Sequence, residues 1–396
     1  MIITCSSLSF SEEKALYLRS KGGWLKLVKV LFVVHSLPTG GIERLLLEIC
    51  RGAKEHGFAP HVCCLVEEGA GAHQFRELEV PIKVLAGKSS LAPWHIPRNL
   101  YVFKQLVDHI RKLQPTALQA EMFYAGTLGR LAAAYCSVPV IIHGYHNFYP
   151  WKGWLARYLD RQMAKISSNL VVPTKAVAHW TAKQLQIPEE RFTHLANGIC
   201  PPSDKEVNLN ISMDEVVSFC GRFYEQKRPL LAADIFLHLA KERPQTSFLA
   251  IGDGPLLPAF KEKTRSLDER IEYVGRVDDP SPYFKVSDLL LLPSNREGFG
   301  LVPGEALLAS CAVLLSSLPP LREVYGFLGD ECFVNSHKPA IEWVSSAQKL
   351  LDSPARREEM LKAAEKRLRK IYSKEKMVAA YASLYKSSTT TSMSSS

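Results

Sequence analysis

Residues 289–323, LLLLPSNREGFGLVPGEALLASCAVLLSSLPPLRE, constrain the fold more than any other stretch of the chain. The opening leucine run reads as a buried strand, Pro293 ends it, and a glycine-punctuated loop carrying Glu297 leads into a short helix carrying Glu305. A second apolar run at 312–315 reads as the next parallel strand. Strand, loop, helix and strand make a βαβ unit, and open α/β sheets bind ligands beyond the carboxyl ends of their strands, where this loop lies. Glu297 and Glu305 stand eight positions apart there. A buried carboxylate needs a partner, so each asks for a donor such as a sugar hydroxyl.

The rest of the chain repeats this alternation. A strand at 28–35 runs through SLPTGGIER into an amphipathic helix at 43–56. Gly40 and Gly41 let backbone approach an anionic ligand at that helix N-terminus, although an isolated glycine pair reads more readily as a tight turn. Apolar runs at 61–66, 82–85, 117–120, 138–143 and 169–173 alternate with helical stretches at 99–112, 127–135, 154–168 and 175–185, the pattern of a doubly wound parallel sheet. His143 and His146 follow the run at 138–143. His146 is placed to reach a cleft and bond a sugar hydroxyl or a developing charge, while a lone histidine at a strand end is also a common structural residue. Tyr145, Tyr149, Trp151 and Trp154 read equally as a stacking surface for a glycan, a membrane-facing set or core.

After a linker at Pro201-Pro202-Ser203-Asp204 a second α/β unit begins, with strands at 215–220, 247–251, 271–274 and 286–292. Two such halves enclose a cleft. Arg222 and Lys227 follow the first of these strands, where a guanidinium forks onto phosphate oxygens and an ammonium acts as a point charge; read alone, both are solvated surface charges.

Composition narrows the partners. At 396 residues there is room for two domains, and no apolar stretch reaches the roughly 18 residues of a membrane span. The start, with charges where an export signal is apolar, reads as an extension over 1–27. Nine cysteines without a CxxC pattern suit a reducing cytoplasm. The net charge of +9 lies wholly in residues 1–200, with 23 Lys and Arg against 14 Asp and Glu; the remainder holds 26 of each. With no nucleic-acid motif present, a basic first half favours anionic lipid or an acidic or phosphorylated acceptor, and equally fits a plain basic domain. Residues 356–370 read as a solvated helix and the terminal KSSTTTSMSSS as a disordered tail.

Together these residues resemble a family. Glu297 and Glu305 in EGFGLVPGE look like the E-x7-E signature of retaining glycosyltransferases of the GT-B fold, glycosyltransferase family four. GGIER at 40–44, YHN at 145–147, NGI at 197–199, GRFYEQK at 221–227, GDGP at 252–255, YVGRVDD at 273–279 and YSKEKMVAAYASLYK at 372–386 fall in the same order as in that family. The resemblance implies two Rossmann-like domains across a cleft: an acceptor domain at 28–200 and a nucleotide-sugar domain at 201–370. A helix at 371–386 crosses back onto the first, and 387–396 trail as a tail. It further implies that Arg222 and Lys227 bind the donor diphosphate, Glu305 the ribose, and Glu297 the sugar hydroxyls. Amides of Gly298, Phe299, Gly300 and Leu301 add contacts, Gly41 approaches from the other domain, and His146 lies near the reacting sugar. The implied catalytic set is Glu297, His146, Arg222 and Lys227. The chain has no D-x-D triplet, so cationic side chains rather than a metal ion are expected to hold the leaving group, and no cofactor is expected.

The implied activity is transfer of a hexose from a nucleotide-sugar to an envelope glycan or lipid-linked acceptor, as in lipopolysaccharide synthesis. The expected place is the cytoplasm, with peripheral contact to anionic membrane and no nucleic acid. Cys200 stands where the family often has Asp, Cys311 replaces a glycine-bearing turn, and Pro319-Pro320 replace a glycine pair that often meets the donor sugar. These departures leave open the donor's identity, a non-catalytic binding scaffold, and an epimerase or hydrolase on the same fold. Glu305 also has an account without a ligand, because a Glu in a helix's first turn gains from the macrodipole.

Overall fold

Short apolar runs in each half become the strands of two all-parallel sheets. The computed structural model describes residues 17–20, 23–38, 40–85, 96–211 and 214–387. The first sheet runs in the order Ile82–Val84, Phe58–Cys64, Val28–Val34, Ala117–Glu121, Val140–Gly144, Asn169–Val172, Phe192–His194. The second runs Ile271–Gly275, Thr246–Ile251, Glu215–Cys220, Leu289–Leu292, Ala312–Ser316, Phe333–Val334. Helices cover both faces of each sheet, which is why strands such as Leu289–Leu292 are apolar at every position and fully buried.

In both sheets the order of strand addition reverses at the centre. The chain moves outward from Val28–Val34 and returns to lay Ala117–Glu121 on its other side; in the second half Leu289–Leu292 returns beside Glu215–Cys220 in the same way. At such a switch point the flanking loops diverge and leave a crevice beyond the carboxyl ends of the strands.

The last two helices join the halves. Pro354–Ile371 packs on the second domain, and Ser373 then caps the helix Lys374–Lys386. That final helix buries Met377, Val378, Tyr381, Ala382 and Tyr385 in the first-domain core, with Tyr385 edge-on to Phe58 at 5.2 Å. The turn between the helices meets the interdomain linker, where the Ile199 amide donates to the Tyr372 carbonyl at 2.7 Å.

Several local expectations change. The helix expected to be solvated over 356–370 buries Met360, Ala364 and Leu368 on one face. The apolar start of the run at 286–292 belongs to a turn after the short helix Ser281–Lys285, and only Leu289–Leu292 pairs. The edge strands Phe192–His194 and Phe333–Val334 are too short to show a period in sequence. Within the expected extension, Tyr17–Ser20 and Gly23–Lys26 form an antiparallel pair, while residues 1–16 and the tail at 388–396 lie outside the described residues.

Candidate active site

On the second-domain side the switch point carries both charges expected there. The strand Glu215–Cys220 runs into a turn whose 3-10 segment Glu225–Lys227 places Lys227 Nζ 2.6 Å from Glu297 Oε1. Two further bonds tie this turn to the Glu297 loop: Asn295 N donates to the Gln226 carbonyl at 2.9 Å and Gln226 Nε2 to the Arg296 carbonyl at 3.0 Å. Arg222 is exposed, with its guanidinium over the Tyr224 ring at 5.7 Å. Gly300 takes φ +81, a left-handed conformation that suits glycine, and opens the helix Leu301–Leu308; its carbonyl accepts from Tyr325 OH. Phe299 turns its ring inward against Tyr372, leaving its backbone to face the loop.

Glu305 is not in the first turn of its helix but in the second, beyond the reach of the N-terminal dipole effect. The macrodipole therefore does not explain it. Its partner is Arg44 of the first domain, which makes a two-pronged contact, Nη2 to Oε1 at 2.7 Å and Nη1 to Oε2 at 3.1 Å.

The first-domain side gathers acids around an imidazole. Glu121 ends the strand Ala117–Glu121, and its Oε2 lies 2.7 Å from His146 Nε2. Glu43, in the first turn of the helix Gly41–Arg51, is buried and its carboxyl is pushed up to about 7. Burial is the main cause and Glu121 adds to it, while Arg222 and His146 oppose it. Gly40 is extended and not left-handed, so a tight turn does not explain the glycine pair: a Cβ at 40 would meet the Glu43 carboxylate at 2.6 Å, whereas one at Gly41 would meet nothing within 4 Å.

The two sides touch. A Cβ at Gly298 would overlap the His146 carbonyl oxygen, Thr174 Oγ1 donates to the Gly298 carbonyl at 2.9 Å, and Arg296 stacks on Trp151 at 5.0 Å. Glu323, from the helix Pro319–Tyr325, accepts the amides of Lys175 and Ala176 at the start of a first-domain helix, at 2.8 and 3.1 Å. The Glu297 loop thus carries the Lys227 pair and abuts His146, Arg222 acts electrostatically on Glu43 of the facing domain, and Arg44, on the helix that Gly41 opens, lines a small pocket with Glu305 and Leu301.

Other singled-out residues fall elsewhere. His143 is a core residue, its Nδ1 2.7 Å from the Ala120 carbonyl and its pKa lowered by burial. Tyr145 is core, whereas Trp151 and Trp154 are exposed. Cys311 is fully buried and faces no crevice; Cys200 sits by Glu305 and Glu48, and burial chiefly pushes its thiol up to about 11. Sequence reasoning missed Glu43, Arg44, Glu121, Thr174 and Glu323. The first two were in plain view in GGIER, and Glu121 ends a strand at the switch point.

Two doubly wound parallel domains meeting at their switch points, joined by a linker and a returning helix, define the GT-B fold class. Residues 39–201 match the model for Glycosyltransferase Family 4 and residues 214–353 that for Glycosyl transferases group 1, and the chain belongs to this glycosyltransferase family. A UDP-Gal:alpha-D-GlcNAc-diphosphoundecaprenol alpha-1,3-galactosyltransferase of Escherichia coli is 25% identical over 49% of this chain and 55% of its own. The chain thus spans about half the length of that relative. A Campylobacter jejuni GalNAc-alpha-(1->4)-GalNAc-alpha-(1->3)-diNAcBac-PP-undecaprenol alpha-1,4-N-acetyl-D-galactosaminyltransferase is 23% identical over 71% of this chain and 77% of its own. A glycosyltransferase structure from Rickettsia africae superposes with a TM-score of 0.74 at 16% identity, covering 92% of this chain and 99% of the other, a likeness of fold.

Proposed function

We propose that the protein is a retaining glycosyltransferase that moves a hexose from a nucleoside diphosphate sugar to a lipid-linked or envelope-glycan acceptor. What carries this is the convergence of the Lys227–Glu297 pair, 2.6 Å apart, and the exposed Arg222 with a loop that abuts His146 of the facing domain. Cleavage of the donor leaves an oxocarbenium-like sugar and concentrates negative charge on the diphosphate. Arg222, Lys227 and the amides of Gly298 to Leu301 stabilise that charge in place. Glu297 accepts from hydroxyls of the sugar and Glu305 from those of the ribose. An ionised carboxylate has about four acceptor sites, so a single cation does not exhaust either. The acceptor enters beside His146, attacks the face the leaving group vacates, and passes its proton to a departing phosphate oxygen. No protein nucleophile and no metal ion take part.

The substrates named for the two relatives, both undecaprenol-linked, support a lipid-linked acceptor. The first domain has a surface suited to one. The helix Trp154–Ile166 exposes Trp154, Leu155, Tyr158 and Leu159 and carries Arg157, Arg161 and Lys165 along the same chain segment. Such a surface lies against anionic lipid at the level of the headgroups. Among the described residues no helix is long and apolar enough to cross a membrane. We place the enzyme peripherally on the cytoplasmic leaflet.

The test is a panel of UDP-, GDP- and ADP-sugars with an undecaprenyl diphosphate sugar as acceptor, beside thermal shift with the free nucleotides. One nucleotide at a hundredfold excess over its Kd adds about 2.7 kcal/mol of apparent stability, and its sugar turns over. A shift without turnover identifies a binding scaffold, and the absence of both a shift and turnover removes the proposal.

A further inference from the structure

The crossing helix does more than fasten the two ends of the chain. Tyr385 OH donates to Gln119 Oε1 at 2.5 Å, Gln119 Nε2 donates to Glu121 Oε1 at 2.6 Å, and Glu121 Oε2 lies 2.7 Å from His146 Nε2. Tyr385, Gln119 and Glu121 are each wholly shielded from solvent. A polar chain therefore runs along one face of the first sheet, from the C-terminal helix packed on that face to the carboxyl end of the strand Ala117–Glu121, where the crevice lies. Gly144 leaves the space for its last link, because a Cβ there would overlap both His146 Nε2 and Glu121 Oε2.

The donors and acceptors allow one direction only. The Tyr385 hydroxyl gives its hydrogen to the carbonyl end of Gln119, which turns the amide nitrogen toward Glu121. Glu121 then receives two N–H groups, one from Gln119 and one from His146. Its acceptor role fixes the hydrogen of the neutral imidazole on Nε2 and leaves Nδ1 with a free lone pair. Without the tyrosine hydroxyl the Gln119 amide is free to flip, and its oxygen then faces the Glu121 carboxylate. That repulsion would loosen the hold on His146.

We infer that Tyr385, Gln119 and Glu121 are positioning residues that fix the tautomer and orientation of His146, so that its Nδ1 accepts a hydrogen bond from a hydroxyl of the bound substrates. The inference rests on the proposed function for the use made of Nδ1, while the tautomer itself stands independently. Tyr381 provides the control: it lies on the same helix, equally buried, and its hydroxyl has no hydrogen-bond partner among the described residues.

The experiment uses the full chain with 15N-labelled histidine, and His146 is assigned by the signal lost in His146→Gln. Two-bond proton–nitrogen correlations at neutral pH are expected to show the Nε2–H form in the wild type and in Tyr381→Phe, and a mixture of tautomers in Tyr385→Phe and Glu121→Gln. With the donor and acceptor that turn over, Tyr385→Phe is expected to lower kcat about five- to tenfold at nearly constant donor KM, the size of one neutral hydrogen bond. Glu121→Gln should exceed that, and Tyr381→Phe should match the wild type. An Nδ1–H signal in the wild type overturns the inference, as does a His146 spectrum unchanged by Tyr385→Phe and Glu121→Gln. Equal kcat losses in Tyr381→Phe and Tyr385→Phe also overturn it, since both would then reflect packing. Should the wild type use no nucleotide-sugar, the proposed function fails, while the spectra still decide the relay.

Discussion

Asp160 and Glu297 are both buried carboxylates paired with a lysine, yet they are surrounded very differently. Asp160, in the body of the first domain, accepts from Arg130 Nη2 at 2.7 Å, Tyr145 OH at 2.9 Å and Lys152 Nζ at 2.7 Å. Burial alone would raise its pKa, but Lys152 and Arg130 outweigh that and hold the carboxyl well below its ordinary range. The Lys152 ammonium also lies over the Tyr149 and Phe123 rings at 4.8 Å, so the lysine is held by aromatic faces as well as by the carboxylate. Glu297 receives one donor among the described residues, Lys227, and Glu305 only the fork of Arg44. Both stand at a switch point with acceptor capacity to spare. A buried charge saturated by its own domain is architecture; one left partly unsatisfied beside a crevice is a place for a ligand.

The distinction breaks most sharply at its two extremes. Asp160→Asn leaves Arg130 and Lys152 without a counter-charge in a buried site and should cost about 3–5 kcal/mol of stability, read by urea or thermal unfolding. Arg222→Ala removes an exposed side chain and should leave the melting temperature nearly unchanged while turnover falls about 10²–10³-fold, the usual loss for a group stabilising transition-state charge. If instead Arg222→Ala melts the protein, or Asp160→Asn leaves stability intact, saturation does not separate the two kinds of charge.

Arg44 and Glu305 fall between these cases, because their pair crosses the domain boundary. Arg44→Met leaves Glu305 buried without a cation. The cost, about 3 kcal/mol, is at the low end for a broken buried pair because the arginine is partly exposed. Part of that cost should appear as separation of the domains, visible as a larger radius of gyration in solution scattering. A nucleoside diphosphate with its ribose on Glu305 should reverse some of the change. Equal scattering from variant and wild type would place the pair among the fixed contacts instead.

The fold was legible because buried parallel strands are apolar at every position, and Leu289–Leu292 announced one by itself. Arg222, Lys227, Glu297 and Glu305 were legible because each follows a strand at a carboxyl end. The pairings across the cleft were not, since Arg44, Thr174 and Glu323 find their partners only once two distant segments meet. Arg44 and Glu305 are 261 positions apart, and no local period links them. The Asp160 cluster was hidden for the same reason: Arg130, fully buried on the helix Phe123–Tyr135, meets Asp160 thirty positions away.

Glu43 is a third kind of buried carboxylate and gives the finest comparison. Among the described residues it makes no ion pair, and burial raises its pKa from 4.5 to about 7. The folded protein therefore keeps this proton over a range in which the unfolded chain has released it. Its contribution to stability is fully present below about pH 4.5 and is lost as the pH rises through about 7, where the buried group ionises. Glu43→Gln cannot ionise and should escape that loss. Between pH 5 and pH 8 the wild type should lose about 1–3 kcal/mol relative to the variant, measured as the difference between their melting temperatures at the two pH values. Parallel curves would mean that Glu43 titrates in the folded protein as it does in water and belongs with neither the saturated cluster nor the crevice. A gap that closes when a nucleoside diphosphate is added would tie the proton on Glu43 to the charge on Arg222, which already acts on it across the cleft.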